Sequence, residues 1–123
     1  MIRTTLLASA LTALSVPAFA DPFTLFIHET PADVALRSDT TGAGAAYWAL
    51  WAEYAAMIGQ TGMVRGGAPL VVSEGDGNRV SGYFILEAPS LEEAEALAAL
   101  APAATRGGRV IVAPHYPMPE MSN

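Results

Sequence analysis

Residues 82–102 restrict the fold more than any other part of the chain, because three signals follow one another there. Positions 82–87 form an apolar run typical of a buried β-strand, and Pro89 then breaks it. Ser90 and Glu93 have the spacing of a helix N-terminal capping box. Apolar residues recur at helical spacing up to Pro102, namely Leu91, Ala94, Leu97, Ala98 and Ala101. A buried strand followed directly by an amphipathic helix predicts a mixed α+β domain.

The rest of the chain supplies three further strands and one further helix. Apolar, β-rich runs predict strands at 23–29, 63–72, 80–87 and 109–113, and a helix is predicted over 43–60. Residues 31–42 lack a clear period and are interpreted as a loop. The Asp-Gly pair within 73–79 suits a hairpin turn between the two middle strands. The order β-α-β-β-α-β predicts a ferredoxin-like fold, an antiparallel four-stranded sheet with two helices on one face.

The helix predicted over 43–60 is apolar on nearly all sides. One face carries Ala43, Tyr47, Leu50, Trp51, Tyr54, Met57 and Ile58, and the other carries Trp48, Ala52, Ala55 and Ala56. Glu53 is the only charged residue in the segment. A domain of this size covers one side of such a helix, so the second side should meet another subunit. The open face of the sheet also needs a cover, and two sheets packed face to face would close a dimeric barrel around a cavity.

The first 20 residues have the pattern of a secretory signal peptide. Arg3 precedes an apolar run, and Pro17-Ala18-Phe19-Ala20 gives a small-residue cleavage pattern before Asp21. The apolar run is too short to span a bilayer, which requires about 20 residues. We therefore expect a periplasmic or secreted protein, cleaved between Ala20 and Asp21, with residues 21–123 as a single domain and no membrane span after cleavage.

Charge and composition exclude several classes of partner and chemistry. The chain has 12 acidic and 6 basic residues, and no lysine, so a nucleic acid is not an expected partner. It has no cysteine, which excludes disulfides and thiolate ligands. No phosphate-binding glycine loop, nucleophile elbow or metal-ligand spacing occurs, so no cofactor and no metal are predicted. His28 and His115 should lie at opposite ends of neighbouring strands, too far apart to share a metal.

The chain resembles the YCII-related proteins, including the group named after an Asp-Gly-Pro-Phe motif. The features that carry the resemblance are the 82–102 block, the Gly66-Gly67 pair in the second predicted strand and the final run 107–112, Gly-Gly-Arg-Val-Ile-Val. It implies a dimeric α+β barrel without an assigned reaction. The chain keeps Asp76-Gly77 but continues with Asn78-Arg79, and Tyr47 stands near the helix position where one branch has a histidine assigned to its active site. That histidine–carboxylate pair therefore has no counterpart here.

Four side chains are candidates for contact with a ligand: His28, Arg65, Tyr83 and Tyr47. His28 shares a strand face with Phe26, which we expect to line the open side and the cavity. As an imidazole it could act as a general base. Arg65 and Tyr83 could supply a cation and a phenol that suit a carboxylate or enolate. Each also has a structural alternative. His28 could be a hydrogen-bonded structural histidine and Arg65 a surface charge. Tyr83 could pack against a neighbouring strand, and Tyr47 could belong to the helix core. His115 is expected in a solvent-facing tail.

Three functions remain open at this point. The first is an exported homodimer that binds a small, mostly apolar or aromatic ligand in a barrel cavity. The second is a cofactor-independent small-molecule enzyme of isomerase, hydrolase or monooxygenase type, with His28 as its base. The third is a protein interaction module that uses the apolar side of the 43–60 helix.

Overall fold

The computed structural model describes residues 20–73 and 79–120. Most of the predicted signal peptide and the centre of the predicted 73–79 turn lie outside these residues. The elements in chain order are β1 (Asp21–His28), α1 (Pro31–Leu36), α2 (Gly42–Gly59), β2 (Val64–Pro69), β3 (Gly82–Ala88), α3 (Leu91–Ala98), α4 (Pro102–Thr105) and β4 (Arg109–Pro114).

The four strands form one antiparallel sheet in the order β2-β3-β1-β4. The first and last strands are neighbours, and the two middle strands pair with each other, as the β-α-β-β-α-β pattern predicts. A register shift between Val64 and Gly66 makes Arg65 an extra residue in the edge strand β2. The ferredoxin-like α+β fold is therefore confirmed, with the two long helices α2 and α3 and the short helices α1 and α4 added.

Alternate residues of β1 point to opposite faces of the sheet. Phe23, Leu25 and Ile27 are buried and face the helices. Phe23 and Leu25 join Leu86 of β3 and residues of α3 in the core. Thr24, Phe26 and His28 are half-buried on the other side. We name that other side the open face; the strand pairing adds Tyr83, Ile85, Glu87, Arg109, Ile111 and Ala113 to it.

The interpretation of residues 31–42 as a loop is wrong, because they begin with the helix α1. The Thr30 side chain accepts a hydrogen bond from the Asp33 backbone N–H, and Pro31 occupies the first helical turn. Proline is favoured there because its missing N–H has no partner within the helix in any case. α4 likewise begins with a proline, Pro102, which three residues separate from the end of α3 at Ala98. The proline predicted to stop α3 is thus the first residue of the next helix.

α2 buries a narrow stripe and leaves the rest of its apolar surface exposed. Tyr47, Tyr54 and Ile58 are buried, and Trp51 is half-buried between them. The remaining side, which includes Trp48, Leu50, Ala52, Ala55, Ala56 and Met57, is exposed in the single chain. Ala43, Leu50 and Met57 were predicted on the buried face, but all three are exposed, so that part of the prediction is wrong. Among the described residues, no helix combines the length and hydropathy needed to cross a bilayer.

Truncation of the core should destabilise the domain far more than truncation of its surface. Leu25→Ala removes a fully buried side chain and should lower the free energy of unfolding by about 2–5 kcal/mol. Leu100→Ala is the matched control, since Leu100 is 56% exposed, and it should change that free energy by less than about 0.5 kcal/mol. Urea denaturation measures both. Equal effects would contradict the placement of the core under α3.

Candidate functional site

A cavity of about 330 Å³ lies between α2 and the β2–β3 side of the sheet. Its volume falls at the lower end of the range that small-molecule pockets occupy, roughly 300–1,000 Å³. The wall combines α2 side chains with residues of β2 and β3: Trp48, Trp51, Ala52 and Ala55, then Gly67, Ala68, Pro69, Gly82, Tyr83 and Phe84. Ile27, Glu29, Arg37 and Ser81 complete it. The cavity therefore lies on the helix side of the sheet rather than on the open face.

The C-terminal half of α2 packs on the sheet through Tyr54 and Ile58, which contact Val64 and Phe84. Two glycines leave the space beside this contact unfilled. Gly67 pairs with Phe84 and Gly82 pairs with Pro69, and all four positions belong to the helix-facing side of the sheet. A Cβ atom on Gly67 would lie 2.7 Å from both the Phe84 ring and the Tyr83 carbonyl oxygen, so the close approach of that ring requires glycine. Without side chains at 67 and 82, the space beneath α2 remains open.

One end of the cavity is a hydrogen-bonded ion pair between Glu29 and Arg37. The Glu29 side chain is 3% exposed and follows β1 directly, while Arg37 lies in the turn after α1 and is 16% exposed. The guanidinium donates to both carboxylate oxygens of Glu29. It also donates to the carbonyl oxygens of Leu70 (2.7 Å) and Ser81. A buried carboxylate needs such partners, because burial of an unpaired charge is costly.

Tyr47 connects this ion pair to α2. Its hydroxyl donates a hydrogen bond to Glu29 Oε2, and the Arg106 guanidinium lies over its ring at 5.2 Å. Burial, and then the bond to Glu29, raises the pKa of the Tyr47 hydroxyl well above its usual value. The buried Trp51 Nε1 makes no hydrogen bond of normal geometry to a described residue. The Trp51 indole nevertheless lowers the pKa of the Tyr47 hydroxyl, against the larger effects of burial and Glu29. Tyr47 is thus held as a neutral donor to a carboxylate.

The other walls are apolar and aromatic. Trp48 is 42% exposed and donates its indole N–H to the Arg37 carbonyl oxygen at 3.1 Å, which fixes the ring at the cavity edge. Trp51 packs edge-on against Tyr54, and Tyr54 packs edge-on against Phe84. A mostly apolar wall with one polar end is the usual composition of a small-molecule site.

The four sequence-predicted residues do not converge on one point. His28 lies on the open face opposite Arg109 and is absent from the cavity wall. Arg65 lies on the exposed part of β2 and pairs with Glu87 at 2.7 Å. A ligand beneath α2 would therefore contact neither of them, and any role of His28 is confined to the open face.

Tyr83 and Tyr47 lie closer to the cavity. Tyr83 belongs to its wall, although the strand register directs the side chain to the open face opposite Phe26. Tyr47 is not part of the cavity wall, and its hydroxyl contacts the polar end by its hydrogen bond to Glu29. His115 follows β4 as an exposed residue, and its Nε2 lies 2.6 Å from Thr24 Oγ1. No cluster of three or more His, Asp or Glu side chains in residues 20–73 and 79–120 is arranged to hold a metal ion.

Glu29, Arg37 and Ser81 were not recognised from the sequence. Glu29 ends the first predicted strand and continues the alternation of Phe23, Leu25 and Ile27, which face the helices. This alternation would have identified Glu29 as a buried carboxylate. Ser81 Oγ accepts a hydrogen bond from the Glu29 N–H and donates to the Ile27 carbonyl oxygen. Arg37 was missed because residues 31–42 were interpreted as a loop, so the helix start at Thr30–Pro31 and the turn after it were not predicted.

These features define a class: a ferredoxin-like α+β protein with a small-molecule-sized cavity between one helix and the sheet. A scan against protein-family models found no match, and a search of curated proteins also found none. Among solved structures, the fold is similar to 5-chloro-2-hydroxyhydroquinone dehydrochlorinase (TftG) from Burkholderia phenoliruptrix AC1100, in a complex with 2,5-dihydroxybenzoquinone. The TM-score is 0.50 at 18% sequence identity, over 74% of this chain and 89% of that one. At this identity the likeness supports the fold.

Alkaline pH should destabilise the domain through its buried tyrosines. Burial raises the pKa of Tyr54 to about 12, and the pKa of Tyr47 is raised too, whereas tyrosine in an unfolded chain titrates near pH 10. The unfolded state therefore releases protons first, and the stability present below pH 10 is lost as the pH rises towards 12. The chain has no lysine or cysteine to obscure this titration.

Urea midpoints measured from pH 8 to pH 11 would check this expectation. The decline above pH 10 should become shallower in the double variant Tyr47→Phe/Tyr54→Phe. Tyr116→Phe is the control, since Tyr116 is 87% exposed, and it should leave the slope unchanged. A double variant with the slope of the original protein would show that neither hydroxyl is buried in the folded state.

Proposed function

We propose that this chain is an exported, homodimeric α+β barrel protein related to the YCII proteins, which binds a small, mostly apolar ligand in the cavity beneath α2. The observation that carries the proposal is the cavity itself, with apolar walls and the Glu29–Arg37 pair at one end. Polar groups at one end of an apolar pocket orient a ligand, while the apolar wall provides most of the binding free energy. Ligand binding has this support independently of any family relation.

The likeness to TftG is consistent with this proposal. That protein was solved with 2,5-dihydroxybenzoquinone, a small ring compound, so a fold of this class can hold a ligand of that size. The proposal of export rests on the pattern of residues 1–20, and the relation to the YCII proteins rests on the motifs in the sequence.

The proposal of a homodimer rests on the open face of the sheet. It carries Phe26, Ile85 and Ile111 in neighbouring positions of three strands, and Ile111 is 45% exposed. Contiguous apolar surface on a sheet is usually covered by another layer. A second copy of the same face would cover it with a two-fold, self-complementary interface.

A neutral fluorescent probe should detect the cavity. N-phenyl-1-naphthylamine added to the chain from Asp21 should give a saturable rise in fluorescence with one site per subunit. Ala55→Phe places a ring in the cavity wall and should weaken this binding by at least about tenfold, since it fills the space that the probe needs. Ala56→Phe is the matched control on the next position of α2, outside the wall, and should bind as the original does.

Two outcomes would contradict the ligand proposal. One is the absence of saturable binding in the original protein. The other is equal weakening by Ala55→Phe and Ala56→Phe, which would locate the probe on the α2 surface outside the cavity wall and favour the interaction-module function.

The oligomeric state should depend on the open face. Light scattering after size-exclusion chromatography should give the mass of a dimer, and Ile111→Arg should convert it to a monomer, because the variant buries an unpaired charge in each half of the interface. Leu100→Arg changes an exposed leucine outside the open face and should remain dimeric. A monomeric original protein, or a dimer that Leu100→Arg disrupts and Ile111→Arg does not, would contradict the interface.

A further inference from the structure

We infer that the cavity beneath α2 selects a neutral ligand that donates a hydroxyl hydrogen bond to Glu29 Oε1, a planar phenol-like compound, and that it rejects carboxylates. This inference rests on the proposed function, because it concerns the ligand of the same cavity. It follows from a count of the donors and acceptors that the polar end still offers, and from the charge of that end.

Glu29 keeps one unused acceptor position. A carboxylate offers about four lone-pair sites, two on each oxygen. Oε2 accepts from Arg37 Nε at 3.4 Å and from the Tyr47 hydroxyl, so both of its sites are used. Oε1 accepts only the bond from Arg37 Nη2 among the bonds observed in the described residues. The remaining lone pair on Oε1 is thus available to a donor on a ligand.

Arg37 has little left to offer an anion. A guanidinium has five N–H groups, and four of them donate to Glu29, Ser81 and Leu70. Within residues 20–73 and 79–120, one N–H on Nη1 remains without an acceptor. The bidentate contact by which arginine normally binds a carboxylate is already made to Glu29.

The charge at this end is balanced before any ligand enters. The carboxylate of Glu29 and the guanidinium of Arg37 cancel, and the second pair nearby, Asp33 with Arg106 at 2.9 Å, cancels in the same way. An anionic ligand would lose its hydration without gaining a free counter-charge, and it would lie beside the Glu29 carboxylate. The expectation from sequence that Arg65 and Tyr83 would suit a carboxylate or enolate does not extend to this cavity, because Arg65 lies outside its wall.

The two tryptophans of the cavity wall favour a ligand with a flat aromatic ring. Trp48 and Trp51, the only tryptophans in the chain, lie about one helical turn apart and both belong to the cavity wall together with Phe84. Aromatic side chains bind flat, apolar rings by stacking and edge contacts. A fused aromatic ring with one hydroxyl therefore matches both the wall and the polar end.

Four probes of nearly the same shape separate these contributions: naphthalene, 2-methoxynaphthalene, 2-naphthol and 2-naphthoate. Isothermal titration calorimetry at pH 7 keeps the phenol neutral and the carboxylate ionised. We expect 2-naphthol to bind about tenfold more tightly than 2-methoxynaphthalene, which retains the oxygen but has no donor, and more tightly still than 2-naphthoate. This comparison uses the unmodified protein and needs no variant to fold.

Glu29→Gln tests the assignment of the acceptor. The variant keeps the shape of the side chain but removes the negative charge, so the charge of Arg37 is no longer balanced. Binding of 2-naphthoate should then overtake binding of 2-naphthol. Glu95→Gln, at an exposed position of α3, removes the same charge elsewhere and should preserve the original order.

The outcomes separate this inference from the proposed function. Binding of all four probes with equal affinity, or tightest binding of 2-naphthoate, would overturn the inference and leave the ligand cavity in place. Binding of none of them, together with no saturable site for N-phenyl-1-naphthylamine, would overturn the proposed function itself. An unchanged order in Glu29→Gln would overturn the role of Glu29.

Discussion

The burial of one carboxylate, Glu29, organises this domain. Glu29 follows β1 directly and lies on the helix side of the sheet. The strand that supplies the centre of the core is therefore followed by a charge beneath the helices. The charge of Glu29 is balanced by Arg37 from the turn after α1, and the carboxylate also accepts a hydrogen bond from the Tyr47 hydroxyl of α2. Since Arg37 also holds the carbonyl oxygens of Ser81 and Leu70, one guanidinium connects three separate parts of the chain. The polar end of the cavity is thus also a structural support.

The cavity depends on a second constraint, which is the absence of side chains at two positions on the helix side of β2 and β3. Gly67 and Gly82 leave the space beneath α2 unfilled, while the core around Leu25 and Leu86 is packed beneath α3. The two helices therefore pack differently. α3 packs on the sheet with small alanines, whereas α2 packs on it through Tyr54 and Ile58 and leaves the cavity beside them.

The sequence predicted the fold well because its signals are local. The Ser90 cap, the period of α3 and the alternation in β1 each operate within a few residues, and antiparallel pairing follows from their order. The structure bears out the Ser90 cap, since its side chain accepts from the Glu93 N–H at 3.2 Å. The Thr30–Pro31 start of α1 was equally local but was not recognised as a helix start, so Arg37 was lost with it.

The cavity was harder to predict because it arises between elements that are distant in the chain. His28 was correctly grouped with Phe26, but the side of the sheet that holds the described cavity is the side of Glu29. Periodicity assigns a residue to a face; it does not reveal whether the helix above that face is in contact or held away. The cavity is formed by Trp48 and Trp51 of α2 together with two glycines on neighbouring strands, and no single one of these residues has a distinctive pattern.

The sheet also separates the two surfaces to which function is assigned. The cavity lies on the helix side and the proposed subunit interface on the open face, with the thickness of one β-sheet between them. Ala68 and Tyr83 are paired in register across β2 and β3, and both belong to the cavity wall although their side chains are directed to the open face. A ligand and a second subunit would therefore contact the same two residues from opposite sides. Ala68 and Tyr83 are therefore the most direct connection between ligand binding in the cavity and association of subunits at the open face.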